Sequence, residues 1–188
     1  MNKNNYISLA KKAANIQISE LKKIKKIFNK SFVKAVDLIL SCKGKVIFAG
    51  IGKSGLIARK ISATFSSVGI PSFFCDPAQA LHGDMGQLEK KDILIIFSYS
   101  GNTAELNNML KYANRYSVKI IGVASKPDSI LLKASDIKLI LPKVKESDVT
   151  GMVPTSSTSI TLLLGDCLAT TVMSLKKFSK EKFKIFHP

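Results

Sequence analysis

The chain has 188 residues, 46% of them hydrophobic and 22% charged, which suits one globular domain with a full core and excludes a disordered polypeptide. Its formal net charge of +16 comes almost wholly from lysine; Arg59 and Arg115 are the only arginines, and the lysines are spread along most of the chain. Nucleic-acid surfaces favour arginine forks and interleaved aromatics, so the excess charge argues against a nucleic-acid partner and for attraction of an anionic metabolite. Cys42, Cys75 and Cys167 are odd in number and share no CxxC spacing, which points to a reducing compartment without a disulfide or zinc framework. Met1–Lys12 carries no apolar signal region. The most apolar stretch, Thr158–Leu175, is broken by Gly165, Asp166 and several threonines. A membrane span wants about 20 predominantly apolar residues, so a buried core helix is predicted there. The expectation is a cytoplasmic protein with no membrane partner.

In chain order, residues 5–42 carry apolar side chains at i, i+3 and i+4, which predicts two helices with Ser19, ahead of Glu20, as the cap between them. The basic run Lys22–Lys26 lies on the polar side of Leu21, Ile24, Ile27 and Phe28 and reads as a solvated face. Apolar runs at Lys45–Ala49, Asp92–Phe97, Lys119–Ala124 and Ile137–Leu141, with a weaker one at Pro71–Cys75, predict five strands. Helical patterns fall between them at 53–68, 104–116 and 129–135, and a long helix over Ser156–Phe178 follows. Strand alternating with helix gives a parallel sheet with helices on both faces, and near-continuous apolar strands such as Ile93–Phe97 fit burial on both sides. The predicted class is therefore α/β: a three-layer α/β/α sandwich with a five-stranded parallel sheet. With no repeat or linker, one domain is predicted over 1–188, with a helical arm at 1–44 and an α/β core at 45–188. The arm has no obvious place to pack on a compact monomer, which predicts a homo-oligomer.

Three turns rich in glycine or hydroxyls follow: Gly50-Ile-Gly-Lys-Ser-Gly55, Ser98-Tyr-Ser-Gly-Asn-Thr103 and Pro154-Thr-Ser-Ser-Thr158. Backbone N–H groups at a helix start, with small hydroxyls beside them, form a phosphate seat, and in open α/β sheets ligands bind beyond the carboxyl ends of the strands. Gly50, Gly52 and Gly55 also fit the dinucleotide fingerprint, with Asp76 as the ribose-binding acid. A P-loop fails, because glycine would have to stand at Ile47. Lys53 opposes the dipole of the helix it opens, which an anionic ligand would explain. Glu105 sits where an N-terminal glutamate can merely complement a helix dipole. Glu146 falls in a loop after the fifth strand, and His82 and His187 are the only histidines.

Gly50–Gly55, Ala80–Gly86, Ser98–Glu105, Pro154–Thr158, Gly165-Asp166 and His187-Pro188 together resemble the sugar isomerase (SIS) domain of the D-arabinose 5-phosphate isomerase family. The similarity runs from about Val46 to the C-terminus, in order and at matching spacing. The resemblance implies reversible aldose–ketose isomerisation of D-arabinose 5-phosphate and D-ribulose 5-phosphate through a cis-enediol, without cofactor or metal. It implies catalytic roles for Lys53, Glu105, Glu146 and His187: a glutamate as carbon base, Glu105 ahead of Glu146; Lys53 for the enediolate or the phosphate end; His187, from its own or a neighbouring subunit, in ring opening or proton relay. It implies phosphate contacts from Ser54, Ser98, Ser100 and Thr103. Further substrate contacts would come from Gly69, Ile70, His82, the 108–117 helix, Pro142, Lys143 and Val144. It also implies a dimer or tetramer with shared active sites, and supply of 3-deoxy-D-manno-octulosonate for lipopolysaccharide. The chain departs from the family pattern in three places: the two CBS modules that commonly follow are not expected after Pro188, Asn102 stands in place of a glutamate, and Asp76 stands where histidine is often found. The alternatives are another SIS isomerase, of the 6-phospho-3-hexuloisomerase type, and a sugar-phosphate sensor without chemistry.

Overall fold

The computed structural model describes residues 3–186. Five parallel strands, β1 (Val46–Gly50), β2 (Ser72–Phe74), β3 (Ile93–Phe97), β4 (Lys119–Ala124) and β5 (Ile137–Ile140), form one sheet in the order β2-β1-β3-β4-β5. All neighbours are in parallel register, with Val46 opposite both Ser72 and Ile93. The helices are α1 (Lys3–Leu21), α2 (Lys30–Ser41), α3 (Gly52–Ser67), α4 (Asn107–Arg115), α5 (Ile130–Ala134), α6 (Ser156–Leu175) and α7 (Lys180–Phe186).

Strand alternation divides the core in two. Val46 and Phe48 of β1 and Ile93, Ile95 and Phe97 of β3 point to the face covered by α2, α3 and α6. Ile47, Ala49, Leu94 and Ile96 point to the other, under α4 and α5. Every residue of β1 and β3 is buried, which is why these strands read as unbroken apolar runs. Phe48 packs edge-on to Phe65 at 4.9 Å and parallel to Phe97 at 6.2 Å. Each such buried side chain contributes about 1.5–3 kcal/mol of transfer free energy.

The chain leaves β1 for α3 on one face and β3 for α4 on the other, although the two strands are neighbours. Their carboxyl ends therefore diverge and leave a crevice, the place where ligands bind in open α/β sheets.

α6 is long and apolar enough by length and composition to cross a membrane. Its Ile160, Leu164, Leu168, Ala169 and Val172 are nonetheless buried in the core beside α3, as predicted for a core helix. Two expectations near the N-terminus are corrected. Ser19 caps nothing: α1 runs through it to Leu21 and tightens into a 3-10 segment over Lys22–Ile27. The cap is Asn29, whose side chain accepts from Ser31 N at 2.8 Å to start α2. The arm also has a place to pack within one protomer. Gln17 Nε2 donates to Ser147 Oγ at 3.2 Å and Gln17 Oε1 accepts from Ser159 Oγ at 3.1 Å, so the end of α1 is tied to the core. Residues 5–12 remain exposed, Tyr6, Ile7 and Leu9 included.

The turn from β1 into α3 tolerates only glycine at one point of close approach. A Cβ on Gly55 would lie 2.6 Å from the carbonyl oxygen of Gly50, which a buried strand cannot move aside. Gly55→Ala should therefore lose about 1–3 kcal/mol of stability, read as a lowered midpoint in urea denaturation with an unchanged slope.

Candidate active site

Three segments meet at the crevice. In the first, Gly52 takes a left-handed φ of +58°, a conformation that favours glycine, and turns the chain sharply into α3. This puts Lys53 and Ser54 in the first turn of α3, with Ile57 one turn further on. In the second, Ser98 is buried, shares a hydrogen bond of 2.8 Å with Thr103 Oγ1 and accepts from Gly101 N at 3.1 Å. These two hydroxyls shape the turn from inside. Ser100 is exposed at its outer edge and accepts from Asn102 N at 3.3 Å. Asn102 Oδ1 accepts from Ile130 N at 3.0 Å and so helps start α5.

The third segment is the loop between β5 and α6. Glu146 Oε2 accepts from Thr155 N at 2.8 Å, Thr155 Oγ1 at 2.9 Å and Ser157 N at 3.3 Å. The carboxylate thus takes up donors that the start of a 20-residue helix would otherwise leave open. Burial pushes the Glu146 carboxyl up, but the bonds from Ser157 and Thr155 outweigh it and hold the group below its ordinary value. It is an ionised carboxylate at neutral pH.

These segments enclose a cavity of about 540 Å³, within the roughly 300–1,000 Å³ usual for small-molecule sites. Its walls are Ile51, Lys53, Ser54 and Ile57 from the first segment, Tyr99 and Ser100 from the second, and Val144, Glu146, Gly151, Met152 and Pro154 from the third. Ser157, Thr158 and Thr161 of α6 form the floor. A larger, more open groove of about 930 Å³ runs between α1 and Lys145. It lies away from both hydroxyl turns, so we place the site in the smaller cavity.

Of the residues expected at the site, Lys53, Ser54, Ser100, Val144 and Glu146 line this cavity. Ser98 and Thr103 support it from behind. Pro142 and Lys143 belong to the same loop, their carbonyls accepting from Tyr99 Oη at 3.2 Å and Lys23 Nζ at 3.4 Å. Glu105 does not join it. The chain enters a 3-10 turn over Ala104–Leu106 in which Leu106 is buried, and Glu105 beside it is left exposed to solvent. His82 is likewise exposed, in the 3-10 turn Gln79–His82. Gly69 and Ile70 need correction for this cavity: they close the carboxyl end of α3, beside Pro71, whose carbonyl accepts from Val46 N at the start of β1. That is the amino end of the strands, opposite the crevice. Asp76 Oδ1 accepts from Ala78 N at 2.9 Å, and His187 lies outside the described residues. Sequence reasoning missed Tyr99, Ile57, Met152 and Thr161 as wall residues. Thr161 follows Ser157 by one helical turn, a spacing that could have found it.

The SIS domain model matches residues 39–171, most of the chain. The chain belongs to the SIS domain family. It is 43% identical over 157 residues to arabinose 5-phosphate isomerase KdsD of Pseudomonas aeruginosa, covering 84% of this chain and 48% of that protein. The Escherichia coli K12 KdsD is 39% identical over 168 residues, 89% of this chain and 51% of that one. The chain thus spans about half the length of the curated relatives it matches. Among solved structures, an Escherichia coli CFT073 protein in complex with arabinose 5-phosphate superposes with a TM-score of 0.96 at 35% identity, covering 100% of both chains.

The depressed Glu146 carboxyl has a pH consequence. Because its folded value is lowered, the group stabilises the fold fully above its ordinary value of 4.5, and that contribution fades as pH falls through the folded value. Urea midpoints of wild type and Glu146→Gln should therefore converge on acidification below about pH 4.5; a constant difference from neutral to acid pH would refute the ionised assignment.

Proposed function

We propose that this chain interconverts D-arabinose 5-phosphate and D-ribulose 5-phosphate, with Glu146 as the base that carries the carbon-bound proton. One observation carries the reading: an ionised carboxylate lines the same cavity as Lys53, Ser54 and Ser100. A sugar phosphate brings one anion and one acidic C–H, and the two halves of the cavity match them. Glu146 already occupies the start of α6, which leaves the α3 turn as the helix start open to a second anion. The phosphate sits there, with Ser54 and Ser100 as donors and Lys53 as counter-charge.

With the phosphate anchored, the open-chain aldose lies toward the loop. Glu146 removes the proton from C2, negative charge moves to O1, the hydroxyl proton passes from O2 to O1, and Glu146 returns its proton to C1. The product is the ketose, with no atom lost. Lys53 stabilises the enediolate or orients the phosphate end, and binding energy at the phosphate orients the reacting carbons. This assignment moves the base from Glu105 to Glu146, since only the latter lines the cavity of one protomer. Glu105, His82 and His187 contribute, on this reading, at the boundary with a neighbouring subunit of a homo-oligomer. Two exposed apolar side chains, Met152 of the cavity wall at 76% and Val149 of the same loop at 95%, support such a neighbour. The similarity to arabinose 5-phosphate isomerases supports a role in supplying 3-deoxy-D-manno-octulosonate.

Proton NMR of D-ribulose 5-phosphate in D₂O with added protein should show arabinose 5-phosphate accumulating and solvent deuterium entering the sugar; binding without exchange would mark a sensor instead. Glu146→Gln should lower kcat by about 10²–10⁴-fold and Lys53→Met by about 10²–10³-fold. Glu105→Gln should fall less than Glu146→Gln, and the reverse order would return the base to Glu105.

A further inference from the structure

The loop that carries Glu146 makes unusual use of side chains. After Leu141, whose N–H still donates to Ala124 O at 2.8 Å, the sheet ladder ends. Among the described residues no backbone carbonyl accepts from Val144, Lys145 or Ser147, the N–H groups around Glu146. Each is taken instead by a side chain. Val144 N donates to Tyr99 Oη at 2.9 Å, Lys145 N to Glu20 Oε2 at 3.1 Å and Ser147 N to Thr155 Oγ1 at 2.9 Å. The Tyr99 hydroxyl also donates to Pro142 O at 3.2 Å, so a single phenol spans the loop's first turn.

We propose that Tyr99 and Glu20 are positioning residues that clamp this loop and hold Glu146 against the substrate, Tyr99 from the sheet and Glu20 from α1. The proposal rests on the reading of Glu146 as the base.

Both clamps are themselves well held. The main chain of Tyr99 is fixed at the end of β3, its carbonyl accepting from Ser125 N at 2.8 Å and Ser125 Oγ at 2.7 Å. Burial, with a smaller push from the nearby Glu146 charge, raises the phenol, so it stays protonated and can both donate and accept. Glu20 pairs with Lys23 one helical turn on, which holds its carboxyl below the ordinary value and keeps it an acceptor. At the phosphate end of the cavity Lys53 and Ser54 belong to the α3 turn, and Ser100, next to Tyr99, is held by Asn102 N at 3.3 Å and not by the phenol. Loosening the loop should therefore damage proton transfer and leave phosphate binding alone.

The test is steady-state kinetics of the full chain. Tyr99→Phe keeps the ring and removes the two loop bonds. A net hydrogen bond corresponds to roughly a three- to tenfold effect, so kcat should fall by about that factor or more. Competitive inhibition by inorganic phosphate should stay within about twofold of wild type, since only the loop has moved. Glu20→Ala should behave in the same way, and Glu20→Gln, which keeps an acceptor for Lys145 N, should recover most of the loss. In a Glu146→Gln background Tyr99→Phe should cost nothing further, the mark of two residues acting through one group. Wild-type kcat in Tyr99→Phe and Glu20→Ala, or equal losses with and without Glu146, would overturn the clamp while leaving the base assignment standing. Wild-type turnover in Glu146→Gln would overturn the base assignment first. Should Tyr99→Phe fail to fold, the Glu20→Ala and Glu20→Gln pair decides: equal kcat in both variants overturns the clamp.

Discussion

The Glu146 carboxylate at the start of α6 is the contact on which the site depends. A helix of 20 residues presents unsatisfied N–H groups and partial positive charge at its first turn, and here that end opens into a crevice rather than bulk water. Filling it with a side chain of the protein does three things together. It ionises the glutamate, it fixes one carboxylate oxygen, and it ties the β5–α6 loop to a helix buried in the core. A neutral residue at position 146 would leave the α6 start open to an anion. With Glu146 present, the anion seats are divided between protein and ligand.

The crevice itself follows from topology. With β1 and β3 adjacent and their crossovers on opposite faces, the two turns beyond them separate and cannot close over one another. Both turns are built from small residues for different reasons. At Gly55 a helix presses on a strand carbonyl; at Ser98 and Thr103 the hydroxyls satisfy each other, leaving Ser100 to face the cavity. Similar sequence motifs thus divide into residues that shape a turn and residues that can reach a ligand.

Dynamics enter through the loop. Core strands with both faces buried and full ladders open only with the whole fold, whereas a segment whose N–H groups rely on the side chains of Glu20, Tyr99 and Thr155 can loosen by itself. That places the base we propose, Glu146, on a wall of the cavity held by side chains, and the proposed phosphate seat at the first turn of α3. It also connects α1, most of which is exposed, to the loop that carries Glu146 through Glu20 and Gln17.

The strands, the α/β class and the phosphate-type turns were legible in the sequence, because continuous burial writes unbroken apolar runs and tight turns demand glycine or hydroxyls whatever surrounds them. The SIS resemblance was legible for the same reason, since its motifs are local. What the sequence could not rank were two glutamates of the same chemistry: whether Glu105 or Glu146 lines the cavity depends on which neighbour, Leu106 or Thr155, the fold has already placed. Gly69-Ile70 and Tyr99 show the same limit from opposite sides, one pair near in sequence to site elements yet at the amino end of the strands, the other a residue inside a recognised motif whose partner lies 45 positions on. Local periodicity determines which elements form; the direction of a side chain at their ends is decided by contacts between segments distant in the chain, and only the tertiary structure contains those.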